Sequence, residues 1–524
     1  MKKPFAALVS VLASSLLAAE RSPEAQAWWS HVEFLAGDAL EGRRPGTEGY
    51  NKAAAYVASQ FDSAGLRPGG DRKSFLQSIA METRLIDEAS SSLEWVVDGK
   101  TRKVRLGEEA NLGIGTEKPA KVEAEVVFVG YALKVPEAKI DDFAGLDLKG
   151  KIACYIAGGP AHLPAPLAAH AQSAAERLKN LRAAGAIGTV AFPDPRSTDV
   201  PWARATLRRL GPSVKLVDPA LNDNAGLMVS VSLNVEHANL FFAGSGHTVE
   251  ELLDLHRANK PLPRFPLKGK LRANTVFSRS PMSSSNVIGI LPGASEESVV
   301  ISAHLDHLGV GGAINGDTIY NGAMDNASGI STLIEVARTL SKQKLKRTVV
   351  FLAVTGEEGG LMGSKYFATH PTIAPRDIVA NINLDMYLPI IPLKALTVLG
   401  MDESDLGPEF AAVASKFEVK AERDPQPQRN LFIRSDQYSF IRRGVPALTF
   451  KFHAAPGTPE EKVLAEWVSK RYHAPSDDLQ QPVDPEAAVK FNRLMAAFIT
   501  QVANRGARPQ WNKESFFRRY TAAQ

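Results

Sequence analysis

The chain has 524 residues, too many for one ordinary hydrophobic core, so two or three domains are expected. With 44% hydrophobic and 23% charged residues, its composition is that of a globular chain and not of a disordered one. Its 61 basic and 57 acidic residues leave a net charge of +4, which supplies no broad basic face and argues against nucleic acid as a partner.

Residues 1–19 have the form of a secretory signal. Lys2 and Lys3 give a charged start, the stretch from Phe5 to Leu17 is apolar, and Ala18 and Ala19 offer a cleavage point. Export to a periplasm or to the medium is the expectation. No later run reaches the roughly 18 apolar residues of a membrane helix, so no membrane span is expected. Cys154 is the only cysteine, which excludes an internal disulfide. Residues 22–70 show helical spacing twice. Trp29, Val32 and Leu35 share one face, and after the polar turn EGRRPGTEG so do Ala54, Val57 and Phe61. Arg43 and Arg44 lie in that turn, where supporting a site from outside is favoured over holding substrate. Residues 118–267 change texture. Short strands at 122–129 and 151–156 alternate with turns, a helix is expected over 168–184, and the histidines are scattered. The segment reads as an inserted β-rich domain ending at the proline-rich PLPRFPLKG.

The stretch 298–358 organises the rest. Two apolar runs, 299–302 and 348–354, have strand length, and Ile330, Leu333, Ile334, Ala337 and Leu340 recur between them at helical spacing. The unit is strand–helix–strand, and each strand ends in polar residues that a core does not select. His304 and Asp306 follow the first strand, Glu357 and Glu358 follow the second, and Asp325 precedes the helix. In an open parallel sheet these groups converge on the crevice at the carboxyl ends of the strands. Imidazole and carboxylate are the ligands zinc accepts when no thiolate is offered. A shared Asp325 would bridge two ions roughly 3.5–4 Å apart. Of two adjacent glutamates, one can bind metal while the other acts as general base. A Glu-Glu pair alone is usually a solvated loop; beside a histidine and an aspartate at a neighbouring strand end it reads as a site.

Downstream, a buried strand over 378–384 delivers Asp385, a helix covers 409–417, and residues 434–450 make a turn, a short helix and a strand. KRYHAPSDD places His473 and Asp477 in a loop, and an amphipathic helix over 485–502 closes the pattern. His473 alone would be an ordinary solvated histidine. It gains interest because the constellation lacks a ligand.

The set AHLDHLG, NGAMDNASG, TGEEGGLMGS, NINLD and RYHAPSD resembles the zinc aminopeptidase family, metallopeptidase family twenty-eight. LAGDALEGRRPGTEGYNKAAAYVASQF is similar to that family's amino-terminal helices, and DDFAGLDLKGKIACYIAGG with AAGAIGTV resembles its protease-associated domain. The resemblance implies an α/β fold, a mixed and mostly parallel sheet sandwiched by helices. It divides the chain into a signal peptide (1–19), a first peptidase part (20–117), the insert (118–267) and a second peptidase part with the metal site (268–524). It further implies two zinc ions, one held by His304 and Asp385, the other by Glu358 and His473, with Asp325 between them. Glu357 would be the general base of a metal-bridging hydroxide, and Asp306 would orient His304 through its second ring nitrogen. His307 belongs to the family pattern without an assigned role. Peptides or proteins are the implied substrates, with amino-terminal residues removed.

Three departures stand out. Met324 precedes Asp325 where an acidic residue is common, Gln437 replaces a frequent histidine, and the segment 452–471 is long. Three other readings stay open. A carboxypeptidase would use Arg434, Arg442 or Arg443 as a carboxylate clamp. A single-zinc glutaminyl cyclase would not need both His304 and Asp385. A non-catalytic receptor-like member would be expected to lose ligands.

Overall fold

The computed structural model describes residues 21–116, 120–223 and 226–523. The expected signal segment, 1–19, lies outside the described residues. Among the described residues, no helix is long and apolar enough to cross a membrane.

A ten-stranded mixed sheet forms the centre. Its four middle strands run in the order Arg347–Val354, Ser295–His304, Ile378–Asn383, Ala447–Phe452, and all pair in parallel. Antiparallel pairs bound this core, with Phe277–Leu291 on one side and Ala395–Leu399 on the other, and beyond the latter Lys420–Glu422 pairs in parallel again. The sheet expected to be mostly parallel is thus parallel chiefly in its core. The physical reason is coverage: these middle strands are buried on both faces, so they read as continuous apolar runs. One face packs on the helices Pro23–Leu35, Glu48–Ser63, Ser328–Leu340, Leu406–Ser415 and Pro485–Asn504 through Val299, Ile301, Phe351 and Ile382. The other packs through Val300, Val350 and Leu352 on Phe367 and Phe440 of the helices Met362–Thr369 and Gln437–Ile441. In Ser328–Leu340 the five apolar residues at helical spacing are all fully buried, as the 3.6-residue period requires.

A second, eight-stranded sheet has its own core, built around Phe128, Ile152, Cys154, Phe192 and Leu271. Its middle strands Ala120–Phe128, Ile152–Ala157, Gly188–Pro193 and Val229–Leu233 are parallel. This sheet spans more chain than 118–267: Ser92–Val97, Lys100–Lys103 and Ala110–Leu112 join it from before, and Phe265–Thr275 continues beyond. Conversely, Ser213–Leu216 leaves it and pairs with Leu76–Ile86 at the edge of the first sheet. The single helix expected over 168–184 is two, Ala165–Gln172 and Ala174–Ala183. Ser173 between them has extended backbone, and its hydroxyl accepts the amide of Glu176 to cap the second helix. Helical spacing on either side of such a residue reads as one run.

Candidate active site

Three parallel strands end at the same rim. His304 is the last residue of Ser295–His304; Glu357 and Glu358 lie a few residues past Val354; Asp385 follows Asn383 by two. Asp325 sits in the irregular turn before Ser328–Leu340, and His473 comes from the loop after the helix Pro459–Lys470. Residues as far apart as 304 and 473 therefore share one crevice.

The donor atoms group in two sets around Asp325. His304 Nε2 lies 3.1 Å from Asp325 Oδ1 and 3.4 Å from Asp385 Oδ1. On the other side, His473 Nε2 lies 3.4 Å from Asp325 Oδ2 and 3.2 Å from Glu358 Oε2. His307 Nδ1 joins this second set, 2.9 Å from Glu358 Oε1. Sequence reasoning left His307 without a role. Its signal was the spacing of His304 and His307 directly after a strand end. His307 Nε2 is buried without a hydrogen-bond partner, and His307 Nδ1 and Glu358 Oε1, though 2.9 Å apart, are not aligned to bond one another. Unsatisfied donor atoms facing a carboxylate that another histidine also approaches fit a cation, since burying such groups unpaired is costly. The sets His304/Asp325/Asp385 and His307/Asp325/Glu358 each bring three ligand atoms within 4.8 Å of one another.

The charges support the same arrangement. Burial would lower the His304 pKa, but Glu357, Asp325 and Asp385 outweigh it and raise it well above the usual range. His473 is likewise raised to about 9, with burial opposing and Glu358 and Asp325 prevailing. Against burial, the histidines hold Asp325 and Glu358 down, and Lys451 with His304 lowers Asp385. Protonated histidines and ionised carboxylates thus neutralise one another, and a divalent cation would displace the protons. Glu357 is the exception. Burial, followed by the carboxylates Asp385, Asp436 and Glu358, pushes it well up.

Asp306 supports two of these groups at once. His304 Nδ1 is bonded by the backbone carbonyl of Asp306 at 3.0 Å, not by its carboxylate. The Asp306 side chain instead accepts the amides of Glu357 (3.1 Å) and Glu358 (3.4 Å). The tight turn after the strand brings the carbonyl back to the ring and turns the carboxylate toward the neighbouring strand end. Asp306 thereby meets the second ring nitrogen of His304 with its carbonyl and holds the Glu-Glu backbone with its carboxylate.

Other residues tie the loops together. Asp477 accepts the amides of Met324 (2.9 Å) and Asp325 (3.0 Å), and Gln481 donates to it at 2.7 Å, so the His473 loop is latched to the Asp325 turn. Asn326 donates to Leu384 O at 2.9 Å and accepts Met386 N at 3.2 Å, which joins that turn to the Asp385 loop. Lys451 donates to Asp385 O at 2.7 Å. Arg43, fully buried, donates to the carbonyls of Leu35, Leu305, Asn321 and Gly322 and so braces the site from behind. Gly322 has φ +64°, and a Cβ there would meet Asp325 O at 2.3 Å and the His307 ring at 2.5 Å. Only glycine fits. His473 (φ 55°) and Met386 (φ 44°) also occupy the left-handed region, a strain that the packed surroundings impose on the ligand loops. Gln437 is buried, accepting from Asn383 at 2.9 Å and donating to Phe432 O, so both ends of its amide are engaged within the fold.

A cavity of about 310 Å³ opens beside Asp306, His307 and Glu358, walled by Leu207, Arg208 and Tyr320. Arg208 reaches in from residues 206–210. It donates to Glu358 O at 3.1 Å and lies 3.3 Å from His473 Nδ1.

Residues 286–499 match the family model described as peptidase family M28. The fold is similar to that of the aminopeptidase from Aneurinibacillus sp. strain AM-1, with a TM-score of 0.54 and 20% identity, covering 92% of this chain and 94% of that one. In sequence, 234 residues are 27% identical to a probable leucine aminopeptidase 2 of Aspergillus oryzae, over 42% of this chain and 45% of that protein. A further 27% identity over 198 residues links it to a probable zinc metalloprotease of Pyrenophora teres f. teres, over 36% of this chain and 42% of that protein. The chain spans less than half the length of these two curated relatives.

Proposed function

We propose that the chain, whose residues 286–499 match the model of peptidase family M28, is a di-zinc exopeptidase that removes amino-terminal residues from peptides. The observation that carries this reading is the pair of donor sets sharing Asp325 with Glu357 beside them. His304, Asp325 and Asp385 would hold one ion. Asp325, Glu358 and His473 would hold the other, with His307 an added donor facing it. When bound, the two ions polarise the scissile carbonyl and acidify the attacking water. Glu357, which makes no side-chain hydrogen bond to a described residue, takes the proton of that water and later delivers it to the leaving amine. Asp306 keeps Glu357 and Glu358 in register through their amides, so one carboxylate serves as base while its neighbour faces the metal. The surplus of carboxylates at this rim suits the free α-amine of a peptide. Residues 118–267 are proposed as a protease-associated domain, and the pattern of residues 1–19 supports export to the periplasm or the medium.

The test is a panel of amino-acid anilides beside amino-blocked dipeptides, with metal content measured on the same sample. Turnover of the free-amine substrates with two zinc ions per chain is expected. Activity confined to the blocked substrates, or undiminished after exhaustive chelation, would overturn the proposal.

A further inference from the structure

A larger cavity, about 1300 Å³, lies between the two sheets. One wall is residues 157–177 and 196–199 on the side of the second sheet, joined by Lys215 and Leu216 of the strand that crosses to the first. The other is residues 359–369 and 426–443, on the side of the first. Its lining includes ten lysine and arginine side chains but only two carboxylates, and both carboxylates are already engaged. Asp199 is held by Arg429 and Arg434, and Asp223 by Lys365. Among the described residues, Lys215 and Arg196 have no carboxylate within 4.0 Å. Arg177 is buried with its Nε unsatisfied.

We propose that this cavity binds the acidic part of a peptide substrate. This deepens the peptidase reading and rests on it. Three features select that ligand. A concave surface of one charge sign concentrates the opposite charge, and guanidinium groups pair with carboxylates in two-point fashion. The volume exceeds what a small anion fills, and the cations stand on both walls and do not converge on one point, which suits several carboxylates spaced along a chain. The lining also begins where the catalytic strand end stops, because Gly359, Gly360 and Leu361 follow Glu358 without interruption. Burial above all, with Arg84, Lys365 and Arg208 adding to it, brings the Lys215 ammonium down to about 8. An anionic ligand would offset the cost of burying that ammonium.

Fluorescent, amino-acetylated peptides of D-residues resist exopeptidase turnover and can be titrated by anisotropy into the full chain with its metals. A glutamate-rich peptide is expected to bind about tenfold more tightly than a glutamine-rich one of equal length, with the preference shrinking as salt is raised. Lys215→Glu with Arg196→Glu should abolish the preference, and Lys215→Gln with Arg196→Gln should halve it or more. The milder pair keeps the test usable if the charge reversal unfolds the protein, which a melting curve reveals. Equal binding of the two peptides, or a preference unchanged in the glutamine variants, would overturn the inference. Turnover of a neutral amino-acid anilide by the unmodified enzyme reports the peptidase reading separately, so the two can fail independently.

Discussion

The strand-end crevice and the cavity between the sheets are opposite in charge and adjacent in chain. In the crevice, carboxylates of Asp325, Glu357, Glu358 and Asp385 crowd around histidines, and nearly every supporting group is locked by a backbone amide or carbonyl. In the cavity, lysine and arginine dominate the lining, and several of them are paired at its margins, Arg84 with Glu82, Arg257 with Asp194 and Lys365 with Asp223. Rigid, acid-rich sites suit small cations whose geometry is demanding. A broad basic wall with its cations spread over two sides suits an extended anionic partner. The two meet at residues 358–361, so a substrate could use both at once while each is altered alone.

The sharpest separation comes from Glu357→Gln. Turnover should fall by about 10²- to 10⁴-fold, with zinc content and binding of the acidic peptide unchanged. Zinc lost together with activity would make Glu357 a ligand and collapse the division of labour between the two glutamates. Next in size is Asp477→Ala, which frees the amides of Met324 and Asp325. Metal affinity, measured by competition with a chelating dye, should drop by about 10- to 100-fold, again without effect at the cavity.

The smallest effect concerns stability. Asp436 is fully buried beneath the crevice with both carboxylate oxygens unsatisfied, and burial raises it to about 7 from an ordinary 3.8. Between those values the folded protein binds more protons than the unfolded chain, so this residue's contribution to stability is lost as pH rises through the window. Asp436→Asn removes that dependence. Its gain over the parent, read from urea unfolding of metal-free protein, should be larger near pH 8 than near pH 5 by about 2–3 kcal/mol. An equal gain at both values would show that Asp436 is already ionised in the folded protein at pH 5, against the raised pKa.

Much of this was legible in the chain. Apolar runs at 299–302 and 348–354 announced strands, helical spacing announced Ser328–Leu340, and polar residues at strand ends marked the rim. Residue type was enough there because buried parallel strands tolerate polar groups only at their ends. The supports were not legible. That the Asp306 carbonyl and not its carboxylate meets His304, and that Asp477 grips the Asp325 turn, depends on where a turn aims each dipole. His307 was visible but unassigned, because residues three apart in a loop point in directions that local sequence does not set.

Sequence by itself determined the central strand–helix–strand unit and the side chains able to hold metal, since periodicity and donor chemistry are local properties. Tertiary structure alone decided which donors share Asp325, how far the second sheet reaches, and that Ser213–Leu216 crosses to the first. It also decided that basic residues scattered from 84 to 443 face one another across a cavity. These depend on contacts between segments hundreds of residues apart, where burial, pairing and charge are settled together.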